Sequence, residues 1–402
     1  MTKSNEKKEW IAYVGPFPFP YGQAGSRRVF GMANSLAGAG YDVVVGSGDP
    51  SPTSHTKLDG AELNGSVYYV GLNETPEKSA SIIEKSSQVF WYWGKKTVKW
   101  LDSLEHKPAY VFVYGGSAQY IMRLLPWCRK NKIPLIVDVV EWYDPRQMKG
   151  GILGPFNLSA KLALRYLYPR CDGIIAISQF LANHYKTKGC PVVRIPPTTD
   201  VFGIIDETKF YRDRKDNNKI RLIYAGTPGK KDLLGNVIKA VTSLDPLGER
   251  LELLVLGPTL TQVAEIHGTN ELPPCVNVAG HVSQSEVAEY IKSADFSVLL
   301  REPLLFANAG FPTKFVESMA NGTPVIANIT SDLGLYLSDG VEGFVCTDHS
   351  PEALVLTLNR ALSLSQEDMR LMRDAARRQA INSFDFRAHS SKLIDFLKIT
   401  RQ

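Results

Sequence analysis

At 402 residues the chain is long enough for two or three domains, each burying its own core. Hydrophobic residues make up 44% and charged residues 22%, the balance of a soluble globular protein, and no apolar run approaches the roughly eighteen residues of a membrane-spanning helix. The net charge of +5 permits an anionic partner but does not indicate nucleic acid.

The opening "MTKSNEKKEWIAYVGPFPFP" is charged and soon interrupted by prolines, unlike a signal peptide. "WIAYVG" (10–15) reads as a strand, "RRVFGMANSLAGAG" (27–40) as a helix and "DVVVG" (42–46) as a strand. "YVFVYGG", "PLIVDVV", "GIIAIS" and "VVRIP" continue the series. Their β-branched and aromatic composition suits burial on both faces, which in alternation with helices predicts a parallel sheet of βαβ units. The polar stretch at 197–219 reads as a linker. A second series follows in "IRLIYAG" (220–226), "LELLVLG", "VNVAG", "FSVLL" and "TPVIAN", and the chain closes with the helices "QEDMRLMRDAARRQAINSF" and "SKLIDFLKIT". The expected fold class is therefore α/β, with two Rossmann-like, doubly wound domains facing a central cleft at the carboxyl ends of their strands. The expected bounds are 1–200 for the first domain, 201–219 for the linker and 220–383 for the second domain. Residues 384–402 form a last helix returning to the first.

Cys128, Cys171, Cys190, Cys275 and Cys346 include no C-x-x-C pair, which argues against a disulfide framework or zinc site and suits a reducing cytoplasm. Histidines show no metal spacing and there is no D-x-D, so no metal and no cofactor is expected.

The densest chemistry lies in "FANAGFPTKFVESMANGTPVIAN" (306–328). Gly310 and Pro312 shape a turn into a helix that Thr313 begins, and its free N–H groups and positive end suit a phosphate. Lys314 opposes the helix dipole there but is well placed to meet an anion. Glu317, one turn on, shares a face with Thr313 and Lys314 and can accept from sugar or ribose hydroxyls. The plain alternative is a surface helix with an exposed Lys/Glu pair.

"GFPTKFVESMANGTPVIA" resembles the donor-binding motif of the retaining, GT-B-fold glycosyltransferases of family four. The resemblance implies that Phe311, Pro312, Thr313 and Lys314 cap the diphosphate of a nucleotide sugar and that Glu317 binds its ribose. Where the family usually carries an earlier glutamate this chain has Ala309, preceded by Asn308. "YAGTPGKKDLLGNVIKAV" (224–241) resembles the loop after the family's first C-domain strand. It implies phosphate contacts from Gly226 and from Lys231 or Lys230, with Thr227 and Asp232 standing where arginine and glycine are usual. "VGPFPFPYGQAGSRRVFGMANSLAGAGYDVVV" (14–45) resembles the N-terminal opening, with Gly22 and Gly25 as its glycine loop. "GAGY" (38–41) follows a helix instead of opening one, so it is no dinucleotide fingerprint. "IVDVVEWYDP" (136–145) resembles the acceptor-side segment, with Asp138 and Glu141 as catalytic candidates or, alternatively, strand-end carboxylates bonding local backbone.

The resemblance implies a metal-independent transferase of polysaccharide or glycan biosynthesis, hexosyltransferase in type, moving a sugar from a nucleotide-sugar donor to a saccharide or lipid-linked acceptor with retention. Lys231 would stabilise the leaving diphosphate, and Glu141 is the one candidate nucleophile if a carboxylate is used. A sugar-nucleotide epimerase on the same fold is one alternative. A catalytically inactive sugar-nucleotide-binding subunit is the other, suggested by Ala309 and Thr227. The expected setting is cytoplasmic. "VFWYWGKKTVKWLDSLEHK" (89–107) mixes tryptophans with lysines, which suits either peripheral contact at the inner face of a membrane or a core-packing helix with a solvated basic face.

Overall fold

The computed structural model describes residues 8–22, 24–60, 63–75, 87–115, 118–145, 151–203, 219–229, 232–269 and 271–401. The chain forms two compact units, Met1–Asp200 with Phe386–Gln402, and Val201–Asp385. Most of the stretch read as a linker, 204–218, lies outside the described residues.

The first unit is built on strands β1 (Trp10–Val14), β2 (Asp42–Ser47), β3 (Thr56–Lys57), β4 (Val67–Gly71), β5 (Tyr110–Tyr114), β6 (Leu135–Val139), β7 (Gly173–Ala176) and β8 (Val192–Arg194). They form one sheet in the order β3-β4-β2-β1-β5-β6-β7-β8, parallel except for the short β3–β4 pair. Strands β3 and β4 are absent from the sequence reading, although "VYYV" after Asn64-Gly65 has the β-branched and aromatic content of a strand. Helix α1 (Ala24–Gly38) starts three residues earlier than its periodicity suggests and closes just before Gly40, whose φ of 101° only glycine adopts readily. Gly31 lets α1 press onto the segment after β8, because a Cβ there would lie 2.0 Å from the Thr198 carbonyl oxygen. Helices α2 (Lys95–Ser103), α3 (Ala118–Asn131), α4 (Pro155–Leu162) and α5 (Gln179–Lys186) complete the crossovers.

The second unit carries strands β9 (Ile220–Ala225), β10 (Leu251–Leu256), β11 (Val276–Gly280), β12 (Phe296–Leu299), β13 (Val325–Asn328) and β14 (Gly343–Cys346). All pair in parallel in the order β11-β10-β9-β12-β13-β14. Helices α6 (Leu234–Leu244), α7 (Leu260–His267), α8 (Gln284–Ser293), α9 (Leu305–Ala309), α10 (Thr313–Ala320), α11 (Pro351–Leu362) and α12 (Gln366–Phe384) follow. Local chemistry sets several helix starts: Thr259 with Gln262, and Ser283 with Glu286, form reciprocal capping boxes. Both faces of the sheet are covered, one by a core that includes Leu222, Leu251, Leu253 and Phe296, the other by a smaller cluster around Ile223 and Ile291. Each unit is thus a Rossmann-like, doubly wound domain.

The last helix, α13 (Ser390–Thr400), belongs to the first unit. Leu393, Phe396 and Leu397 enter its core, and the Tyr110 hydroxyl donates to the Leu397 carbonyl at 3.0 Å.

Beneath α1 lies a buried ion pair absent from the sequence reading. Arg28 donates from Nε and Nη2 to the two oxygens of Asp138 at 3.0 and 2.8 Å, and from Nη1 to the Ile195 and Pro196 carbonyls. The Tyr13 hydroxyl donates to the same carboxylate at 2.6 Å. Asp138 is fully buried and Arg28 nearly so. This corrects the reading of Asp138 as a catalytic carboxylate: both its oxygens are committed to holding α1, β1 and β6 together. Removing one partner strands a buried charge, so Arg28→Met should cost about 3–5 kcal/mol in the stability of the first unit. Urea unfolding followed by a first-unit probe checks this, and Arg28→Met with Asp138→Leu should recover part of the loss.

Candidate functional site

In a doubly wound sheet ligands gather where the strand order reverses, outside the carboxyl ends of the strands. In the second unit that point lies between β9 and β12. Gly226 follows β9, and Arg301 stands two residues beyond β12. Helix α10 begins nearby with Pro312 at its N-cap and no side-chain cap on its first N–H groups. That leaves the positive helix end without a local acceptor from the capping position.

Lys314, in the first turn of α10, is the centre of the cluster. Its Nζ donates to the Tyr224 hydroxyl at 2.7 Å and to Asp232 Oδ2 at 2.8 Å, and lies 4.0 Å from the centroid of the Tyr224 ring. Asp232 Oδ1 is 3.5 Å from Arg301 Nε, so one carboxylate lies between two cations. The Arg301 backbone is fixed in turn by Asn328, whose side chain accepts from its N–H and donates to its carbonyl, both at 2.8 Å. Burial lowers the Lys314 ammonium below the ordinary lysine range, and Asp232 works against that shift. Burial and then Asp232 push the Tyr224 phenol well above its usual range.

Gly226 has a structural reason to be glycine. Its φ is 118°, and a Cβ there would meet Lys314 Cε at 2.8 Å. Lys314 can cross the end of β9 only because that side chain is missing. The two lysines read as phosphate ligands, Lys230 and Lys231, lie outside the described residues.

The remaining candidates separate by what they touch. Glu317 is half-buried on α10 one turn beyond Lys314, close enough to favour the lysine's charge. Thr313 is the first helical residue and is partly exposed. Asn308 braces the preceding turn, accepting from the Ser331 N–H at 3.0 Å and donating to the Pro303 carbonyl at 3.3 Å. Phe311 is expected among the donor-capping residues, but its side chain is buried against Phe315, Tyr336 and Phe384. Its ring therefore anchors the turn from below, and any ligand contact falls to its backbone. Ala309, where the family carries a carboxylate, is fully buried.

In the first unit the strand order reverses between β1 and β5. Gly25 lets α1 start there, since a Cβ would lie 3.2 Å from the Tyr114 hydroxyl at the end of β5. Gly22 precedes it and lies close to Ser26, whose Oγ would have to turn away from a Cβ placed there. Glu141 is partly exposed two residues beyond β6. The Tyr114 phenol is pushed above its ordinary range by burial first, then by the Asp138 and Glu141 carboxylates. Among the described residues no group of three or more His, Cys, Asp or Glu is arranged to hold a metal ion.

Arg301, Tyr224 and Asn328 have no role in the sequence reading. Arg301 carries a usable signal, a cation just past a buried strand in "FSVLLREP" (296–303), where this sheet type places its ligands.

Two family models together match most of the chain: "Glycosyltransferase Family 4" over residues 25–201 and "Glycosyl transferases group 1" over 206–379. The amylovoran biosynthesis glycosyltransferase of Erwinia amylovora is 26% identical over 239 residues, 58% of this chain and 57% of that protein. A putative colanic acid biosynthesis glycosyltransferase of Salmonella typhimurium is 23% identical over 240 residues, 58% of each chain. The chain thus spans a little over half the length of these curated relatives. Among solved structures, a glycosyltransferase from Rickettsia africae superposes with a TM-score of 0.66 at 15% identity, covering 98% of this chain and 99% of that one. HepE of Anabaena, solved with UDP, gives a TM-score of 0.64 at 15% identity over 97% and 99% of the two chains. The sheet order and the match to both halves define a GT-B protein. The chain belongs to the family-four, group-one glycosyltransferases.

The Asp232 carboxylate stands within ion-pair reach of both Lys314 and Arg301. Replacing it by asparagine leaves two cations facing each other at a largely buried site. Asp232→Asn should therefore destabilise the second unit by about 1.5–3 kcal/mol, read as a lowered denaturation midpoint.

Proposed function

We propose that the chain transfers a sugar from a nucleotide-sugar donor to the hydroxyl of a saccharide or lipid-linked acceptor, with retention at the anomeric carbon and without a metal. The observation that carries this reading is Lys314, held over Gly226 at the switch point of the second sheet with Asp232 as its stand-in anion. The relatives in amylovoran and colanic acid biosynthesis support a polysaccharide or glycan acceptor, and HepE solved with UDP supports a nucleotide diphosphate as the leaving group.

When the donor binds, its diphosphate competes with Asp232 for Lys314 and meets the uncapped start of α10. Negative charge grows on the diphosphate as the glycosidic bond breaks, and fixed positive groups stabilise that charge without reorganising. Lys231 joins them on its sequence assignment. Glu317 accepts from the ribose hydroxyls in ground and transition states alike. Asp138 is locked to Arg28, while Glu141, two residues beyond β6, keeps contact with solvent. Same-face attack by the acceptor needs no enzyme nucleophile, so Glu141 acts on the acceptor side.

These roles separate kinetically. Glu317→Ala should mainly raise the donor KM, by roughly ten- to a hundredfold, the worth of a charged hydrogen bond. Lys231→Ala should mainly lower kcat, by about 10²–10³, the size of effect seen when a transition-state charge stabiliser is lost. Lys314→Ala should follow Lys231 more weakly. Steady-state kinetics with UDP-, GDP- and dTDP-sugars decide this; an intact kcat in Lys231→Ala together with an unchanged donor KM in Glu317→Ala would move the donor site elsewhere. In the same assay activity should survive excess EDTA. Complete loss restored by magnesium or manganese would reject charge stabilisation by lysines alone.

A further inference from the structure

Helix α4 runs on through one widened turn, Ala163–Leu167, and one tight turn, Tyr168–Arg170. Its inner side is buried at Ala160, Ala163, Leu164 and Leu167. Its outer side carries Leu158, Leu162 and Tyr166, each four residues apart and each exposed. Such spacing draws one stripe along a helix. The turn ahead of it adds Ile152 at 65% and Leu153 at 82% exposure. Single exposed leucines are ordinary; a continuous apolar row marks a contact surface.

The aromatic turn before α2 lies beside this row, since the Phe90 ring packs on Phe156 with centroids 5.6 Å apart. Trp91 and Tyr92 next to it are exposed. The other tryptophans and the apolar side of the segment that the sequence offered for membrane contact turn inward, while Lys95, Lys96 and Lys99 are exposed. Trp93 donates to the Glu74 carbonyl at 2.8 Å, Trp100 sits edge-on to Trp10, and Thr97 and Leu101 are buried. Helix α2 is thus a packing helix, and the outward apolar surface belongs mainly to residues 152–166.

Charge decides what fits that surface. Between Asp144 and Asp172 the sequence has no acidic residue, while Lys161 and Arg165 stand among the outward leucines. A protein partner's interface is usually depleted of charge at its core and mixed in sign at its rim. An aliphatic and aromatic row whose own segment carries only cations matches the acyl–headgroup boundary of an anionic bilayer, where long basic side chains reach the phosphates. We infer that this face seats the chain on an anionic lipid surface. No described helix is long and apolar enough to cross a membrane, so the contact is peripheral.

The test is flotation of the full chain with vesicles of equal parts phosphatidylglycerol and phosphatidylcholine, against phosphatidylcholine alone, at low and high salt. No donor is needed, so the result is independent of the transferase reading. The chain should float with the anionic vesicles at low salt and not with the neutral ones. Leu153→Ser with Leu158→Ser, both at exposed positions, should weaken binding roughly tenfold or more while leaving the unfolding midpoint unchanged. Lys161→Gln with Arg165→Gln should weaken it about tenfold at low salt and flatten the salt dependence. No flotation with anionic vesicles, or equal flotation of the variants, overturns the inference. So does a concentration-dependent dimer that the serine pair abolishes, which would assign the face to a second copy of the chain.

Discussion

The second unit is organised around one demand, that the Lys314 ammonium be compensated where it crosses the end of β9. An ammonium removed from water needs an opposite charge and hydrogen-bond acceptors nearby. Asp232 supplies the charge, and Tyr224 supplies an oxygen and an aromatic face. Gly226 makes the crossing possible by having no side chain. Arg301, steadied by Asn328, completes the cluster from the neighbouring strand. The contacts come from the ends of β9, β12 and β13 and from the starts of α6 and α10, so the cluster exists only when the sheet is correctly wound.

The two units treat a similar pair in different ways. Arg28 and Asp138 are sealed, at 2% and 0% side-chain exposure, and both carboxylate oxygens are occupied. Such a pair fixes the positions of α1, β1 and β6 and is not exchangeable. Lys314 and Asp232 keep 20% and 10%. The two pairs differ in depth, even though both stand near the carboxyl ends of parallel strands.

That difference also limits the roles of the neighbouring acidic residues. Asp138 and Glu141 are three residues apart, yet only Asp138 lies within the sheet and is drawn into the core. Glu141 follows the strand and keeps contact with solvent. Phe311 and Lys314 show the same divergence inside one motif. Phe311 turns into an aromatic cluster that anchors the start of α10, and Lys314 turns out over the strand ends.

The sequence by itself determined the βαβ alternation, because strands buried on both faces must be nearly continuous β-branched and aromatic runs. It also determined the start of α10 at Thr313, since the proline before it sets the entry and Gly322 with φ 64° ends the helix. Strands β4 and β14 escaped, because each is embedded in polar, glycine-containing chain that reads as loop, "ELNGSVYYVGLNETPE" and "LSDGVEGFVCTDHSPE". Only the tertiary structure decided that Asp232 meets Lys314, 82 residues apart, and that Arg28 meets Asp138 across 110. It likewise decided which side of residues 152–166 stays exposed. Local periodicity records that a helix has an apolar side, but the partner for that side, or for a buried charge, depends on which strand ends the winding of the sheet brings together.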